Sequence, residues 1–403
     1  MSEDERSRQV PRLRDETPGA SHVAHFNNAG CSLPPRPVID AQIGYLEEES
    51  LIGGYEAAEK FASNASEFYT CGAEILGCMP EEIGFCQSAT DAWRKVIYAL
   101  PLGKGSTIAF DESIFGGNLL ALIDGQARFG WQLRPVDLSE SGTIDLSLLT
   151  RVLREESVDL VAVSHMPAQS GVLNPIAEIA QMTTKVGSLT LVDACQTLGQ
   201  APLDVKKQGI DGLIFTGRKY LRGPRGTGGY FVRRDLAADM TPLGPDIRVA
   251  EITNSALDWQ LRSDVPRLEQ WERSWSGFAG AAAALKYLSE LDSDWIWARI
   301  TTLAEMVVAC LKPIKGVIVR RWAAEVGGIV VFDLPGRDLV AARDWLRAIG
   351  VNVMFAGPQN APIEMLRRGE RGWLRASVHY YNTEEDVERL AAAISDYLSA
   401  ENR

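Results

Sequence analysis

The chain has 403 residues, 46% of them hydrophobic and 23% charged, with a net charge of −12. That is enough apolar material to bury a large core and to divide into two domains. The acidic excess argues against nucleic acid as a partner, because a phosphate backbone would be repelled. No apolar run reaches the roughly 18 residues a bilayer span needs, so no membrane partner is expected.

Residues 1–24 read as a loose arm, charged and Pro-containing, with no apolar signal region, and a cytoplasmic protein is expected. The six cysteines lie irregularly, without CxxC or a His pair. Free thiols in a reducing compartment, and no metal site, follow. "CQSATDAWRKVIYAL" puts Ser88, Ala89 and Thr90 at the start of a helix. There, free N–H groups and the dipole favour an anion.

From about 105 to 235, short apolar runs alternate with helical patterns. The runs cover 107–110, 159–166, 189–194 and 212–217, and "IDLSLLTRVLREE" and "NPIAEIAQMTTKVG" are helical. The runs are apolar on successive residues, as in a sheet covered on both faces. This rhythm predicts an α/β fold with a mostly parallel sheet. "GGYFVRR" fits an added antiparallel strand, and "GFAGAAAALKYLSELDSDWIWARI" one long helical stretch bridging two domains. The end of the chain mixes strands ("GVIVRR", "GGIVVFDL", "VNVMF", "WLRASVHYY") with helices ("VAARDWLRAIG", "EEDVERLAAAISDYL"), a small α+β domain. Thr383 and Asp386 resemble a capping box. The expected division is a large domain over 25–285, with 25–50 packing toward the small domain, and a small domain over 286–403.

In open α/β sheets ligands sit beyond the carboxyl ends of the strands. Asp193, Gln196, Thr216, Arg218 and Lys219 all fall there. Pyridoxal 5'-phosphate has four requirements that these residues address. Its aldehyde needs a lysine for a Schiff base, and Lys219 is the candidate. Its ring nitrogen stays protonated only beside a carboxylate, here Asp193. Its phosphate needs N–H groups, hydroxyls and a cation, offered by Ser88, Ala89, Thr90, Thr216 and Arg218. Its ring needs a flat partner, for which Phe115 in "DESIFGGN" is suited. Gln196 is placed to reach the phenolic oxygen. Lys219 and Asp193 are the catalytic pair.

"LVDACQTLGQAPLDVKKQGIDGLIFTGRKYLRGPRGTGGYFVRR" resembles the class V aminotransferase group of fold type I pyridoxal-phosphate enzymes. "WLRASVHYYNTEEDV" and "HFNNAGCSLPPRPV" resemble its C-terminal and N-terminal motifs. The resemblance spans about 25 to 400. It implies a large domain with a seven-stranded-type sheet between helices and a smaller α+β C-terminal domain. It also implies a homodimer with active sites at the interface. Arg375 would grip the α-carboxylate of an amino-acid substrate, and Ser274 would reach the partner subunit's phosphate.

Departures from the pattern narrow the reaction. The cysteine desulfurases carry a mobile-loop cysteine in the last quarter of the chain, whereas here the last cysteine is Cys310 and "VMFAGPQNAPIEMLRRGERGW" has none. The stacking histidine of that group has no counterpart near Phe115. An expected asparagine is replaced around Ala168 and Gln169, which makes Gln169 a substrate-side candidate. His165 reads as a buried structural residue. "NNAGCSLPP" with "GGYEAAEKFA" resembles a narrower branch, the hercynylcysteine sulfoxide lyases and similar C–S lyases. Asn28, Ala29 and Gly30, in the segment 27–32, and the loop 51–55 are candidates for lining a wide mouth. The implied activity is β-elimination from an S-substituted cysteine. Lys219 would take the α-proton, and thiol or sulfenate would leave from Cβ, with pyruvate and ammonia as the other products. Aminotransfer, epimerisation or decarboxylation-coupled deamination would use the same residues.

Overall fold

The computed structural model describes residues 3–253, 257–262, 267–322 and 325–400. At its centre is a seven-stranded sheet. In chain order its strands are β1 (Ile83–Cys86), β2 (Thr107–Asp111), β3 (Gln132–Val136), β4 (Leu160–Ser164), β5 (Leu189–Asp193), β6 (Gly212–Thr216) and β7 (Gly228–Val232). Their spatial order is β1-β7-β6-β5-β4-β2-β3. β7 runs antiparallel to both of its neighbours, and the other pairs are parallel. β1, β2, β4, β6 and β7 are buried at every residue. That burial on both faces is why they read as unbroken apolar runs. β3 is an edge strand of sequence QLRPV, mostly exposed. Its Pro135 is tolerated because an edge has no second partner to hydrogen-bond. Neither β1 nor β3 was legible as a strand, β3 because of its polarity and proline.

The chain passes from β2 outward to β3 but from β4 inward to β5. The crevice between β2 and β4 is therefore the topological switch point, where a ligand fits beyond the strand ends.

A second, four-stranded sheet holds β8 (Ile318–Arg320), β9 (Ile329–Asp333), β10 (Met354–Ala356) and β11 (Trp373–Ser377), in the order β8-β9-β11-β10. All of its pairs are antiparallel. The helices used below are α1 (Glu3–Asp15), α2 (Ala89–Ala99), α3 (Gly116–Phe129), α4 (Trp275–Ser289), α5 (Ser293–Leu311), α6 (Pro362–Arg368) and α7 (Glu384–Ala400). Thr383 and Asp386 close a reciprocal capping box at the start of α7.

Two expectations change. The N-terminal segment is not a loose arm. It forms α1, Leu13 is fully buried, Arg14 pairs with Asp386 at 2.8 Å, and Tyr287 donates a hydrogen bond to Glu16. The charged composition concealed that Leu13 and Thr17 turn inward. The single long helix is two helices. Asp292 caps α5 by accepting from the N–H groups of Asp294 and Trp295. The expected border at 285/286 therefore falls inside α4, which runs on to Ser289.

Candidate active site

A pocket opens at the carboxyl ends of β2, β4, β5 and β6 and is closed on its far side by β10, β11 and the turn Pro358–Asn360. Asp193, the last residue of β5, lines it. Its carboxylate is fixed on both oxygens. Oδ1 accepts from the Cys195 N–H at 2.9 Å, and Oδ2 accepts from the Asn118 side-chain amide at 2.6 Å. Asn118 stands in the first turn of α3, three positions past Phe115. It is a site residue the sequence reading missed, although it lay inside the quoted "DESIFGGN".

Lys219 follows β6 into the same pocket. Burial lowers its ammonium pKa from the ordinary lysine value, and Arg218 and Arg375 add to that while Cys195 and Asp193 oppose it. The neutral amine is thus easier to reach. Thr216 and Arg218 line the wall beside it. The loop after Lys219 is held by a turn in which the Arg222 N–H donates to the Lys219 carbonyl at 2.9 Å.

Ser88 caps α2 by accepting from the Asp91 N–H at 3.1 Å, and Ala89 and Thr90 follow it into the pocket. Gly228 allows this approach. A Cβ there would lie 2.8 Å from the Phe215 carbonyl oxygen and 2.9 Å from the Ser88 carbonyl carbon. Phe115, at the entry to α3, keeps 39% of its surface exposed and presents its residue to the pocket. Gln196 donates to the Ala29 carbonyl at 3.1 Å, while its Oε1 is buried with no partner among the described residues.

The far wall comes from distant sequence. Arg375 on β11 is 4% exposed and donates to the Ala168 carbonyl at 2.7 Å. Its Nε has no partner among the described residues, and burial brings its pKa down to about 10. A buried guanidinium with an unfilled face calls for an anion. Met354 and Asn360 also line the wall and were not foreseen. The turn bearing Asn360 seats against α3 because position 116 is glycine. A Cβ there would meet the Gln359 carbonyl at 2.2 Å.

Several candidates lie elsewhere. Asn28 is fully buried, donating to the carbonyls of His25 and Ser377 and accepting from the Tyr381 hydroxyl. Its polar atoms are consumed in packing, whereas Ala29 and Gly30 do line the pocket. Gln169 turns away from the pocket, its amide taken by the Ser113 carbonyl at 3.1 Å and the Glu364 carboxylate at 2.7 Å. Leu51 and Tyr55 are exposed at 80% and 78% and do not line the pocket. Ser274 caps α4, accepting from the Gly277 N–H at 3.1 Å, outside the pocket of its own chain. His165 lies beneath the strand ends, and burial drives its pKa to about 3, so it stays neutral.

The lining residues offer groups of the kinds pyridoxal phosphate needs. An amine, a carboxylate held in place, an unpaired amide oxygen and a helix N-terminus converge on one crevice.

The chain matches the family model for class V aminotransferases over residues 24–390. It is 28% identical over 398 residues to a cysteine desulfurase of Haloferax volcanii, a match covering 94% of this chain and 89% of that protein. It is 27% identical over 378 residues to a probable hercynylcysteine sulfoxide lyase of Mycobacterium tuberculosis, covering 92% and 89%. An apo structure of a cysteine desulfurase from Thermococcus onnurineus superposes with a TM-score of 0.89 at 24% identity, covering 97% of this chain and 98% of that one. The crevice and the family match lead to one conclusion: this chain belongs to the class V aminotransferase family, and it is an enzyme whose cofactor is pyridoxal 5'-phosphate.

Proposed function

We propose that the enzyme cleaves the C–S bond of an S-substituted cysteine by β-elimination, releasing thiol or sulfenate, pyruvate and ammonia. The observation that carries this reading is the chemistry of the far wall. It supplies a buried, unfilled guanidinium at Arg375 and no thiol between Met354 and Asn360. The cysteine that does line the pocket, Cys195, has its thiol pushed well above the ordinary range by burial and by Asp193. A sulfur acceptor works as thiolate, so Cys195 is unsuited to desulfurase chemistry.

Bound pyridoxal phosphate supplies the electron sink that makes an amino acid's α-proton acidic. Lys219 would hold the aldehyde, Asp193 the ring nitrogen, Gln196 the phenolic oxygen and Phe115 the ring face. Ser88, Ala89, Thr90, Thr216 and Arg218 would hold the phosphate, joined by Ser274 from a partner subunit in a homodimer. Arg375 grips the substrate carboxylate through its free guanidinium edge. The Lys219 amine, its pKa lowered by burial, takes the α-proton. Asn118 and the Cys195 N–H keep the Asp193 carboxylate oriented throughout.

The test is product analysis on a panel of cysteine S-conjugates and their sulfoxides. Pyruvate and the released sulfur species should appear in equal amounts. Alanine and sulfane sulfur from free cysteine would point to desulfurase activity, and stoichiometric conversion of the cofactor to its amine form to aminotransfer. Either result without pyruvate would remove the reading.

A further inference from the structure

Asp111 is the last residue of β2 and is fully buried. Such a carboxylate ordinarily has a cation, yet no Lys, Arg or His among the described residues pairs with it. Its two oxygens meet only neutral donors. Oδ1 accepts from the Ser113 hydroxyl, and Oδ2 accepts from the Ser164 N–H at 2.8 Å. Both serines line the pocket, so Asp111 stands directly behind the pocket wall. The charges that face it are acidic, Asp193 from β5 and Glu364 from α6. Glu364 is occupied by Arg368 and Gln169, and Glu112 pairs with Arg367. None of these arginines reaches Asp111.

We propose that Asp111 and Ser113 form a proton relay that delivers a proton to the departing sulfur. This rests on the elimination reading and names its general acid. As the Cβ–S bond breaks, its electron pair goes to sulfur. The Ser113 hydroxyl proton bonds to that sulfur, and the Asp111 carboxyl proton replaces it on Ser113 Oγ. Asp111 is left as a carboxylate accepting from Ser113, the arrangement seen in the structure. After product release, a solvent proton brought by water entering the pocket passes through the Ser113 hydroxyl back to Asp111. Burial, reinforced by Glu364 and Asp193 and opposed by the two serine hydrogen bonds, raises the Asp111 pKa to about 6. That value suits a group that gains and loses a proton each turnover. The relay also fits a substrate class. A basic alkyl thiolate is a poor leaving group and needs this proton, whereas an acidic aryl thiolate does not. The site is suited to alkyl conjugates.

The experiment grades S-alkyl and S-aryl cysteines by the acidity of the leaving thiol. Ser113→Ala and Asp111→Asn should each lose about 100-fold in kcat on alkyl conjugates. The loss should shrink steadily toward the most acidic aryl thiols, and Ser113→Thr should restore the alkyl rate. The visible band of the bound cofactor serves as the folding control. A second readout uses the cofactor-free protein. Infrared difference spectra should show a protonated carboxyl titrating near pH 6 that vanishes in Asp111→Asn. Equal losses across the panel, with wild-type elimination intact, would overturn the relay alone. No thiol from any conjugate with the wild type would remove the elimination reading and the relay together.

Discussion

The two ends of the pocket are built differently. The cofactor end uses strand ends and a helix start that lie within continuous stretches of sequence, such as Ser88–Ala89–Thr90 and Asp193 with Gln196. The substrate end brings together Ala29 and Gly30, the turn bearing Asn360, and Arg375, which no local pattern connects. On the proposed roles, cofactor chemistry rests on local geometry and the choice of substrate on long-range packing. A change at one end should leave the other end measurable.

The largest effect is expected from Lys219→Ala, which removes both the proposed cofactor tether and the proposed base. Turnover should fall by about a thousandfold or more, and the visible band of the holoenzyme should be lost. Survival of the band would break the assignment of the cofactor end. Arg375→Met should leave that band in place and raise KM by about 10- to 100-fold, the worth of a charged hydrogen bond of about 1.5–3 kcal/mol. A loss of cofactor affinity instead would show that the two ends are not separable. Asn118→Ala frees one oxygen of Asp193 and should weaken pyridoxal phosphate binding by about tenfold with KM nearly constant, measured by cofactor titration. Asn28→Ala tests a residue that supports the substrate end without lining it. It should lower stability by about 1–3 kcal/mol, read as a fall in melting temperature, and leave KM unaltered, because its partners are buried backbone and tyrosine groups.

A pH prediction sharpens the cofactor end alone. Association of pyridoxal phosphate with the cofactor-free protein requires the neutral Lys219 amine. Because burial lowers that pKa, the association rate should reach its plateau at a lower pH than an exposed lysine, with its value of 10.5, would allow. A rise displaced to higher pH would contradict the desolvation argument.

The sequence carried much of the fold. Strands buried on both faces gave unbroken apolar runs, and the Thr383 and Asp386 box marked the start of α7. It failed where a residue's environment was set from afar. β3 gave no strand signal because an edge strand is free to be polar. α1 looked loose because the groups that hold Arg14 lie at the other end of the chain. Asn28 and Gln169 looked like pocket residues because the family resemblance put each in a motif expected to face the substrate. Only the fold reveals that the Asn28 amide and the Gln169 amide nitrogen are already engaged.

By itself the sequence determined the buried parallel strands and the placing of Asp193 and Lys219 at strand ends that share one crevice, because periodicity and strand-end placement are local properties of a chain. The tertiary structure alone decided which polar atoms remain unpaired. Among the described residues, Arg375 Nε and Gln196 Oε1 have no partner and Asp111 has no cation, and in a dry interior such a shortfall favours a ligand or a proton that supplies what is missing.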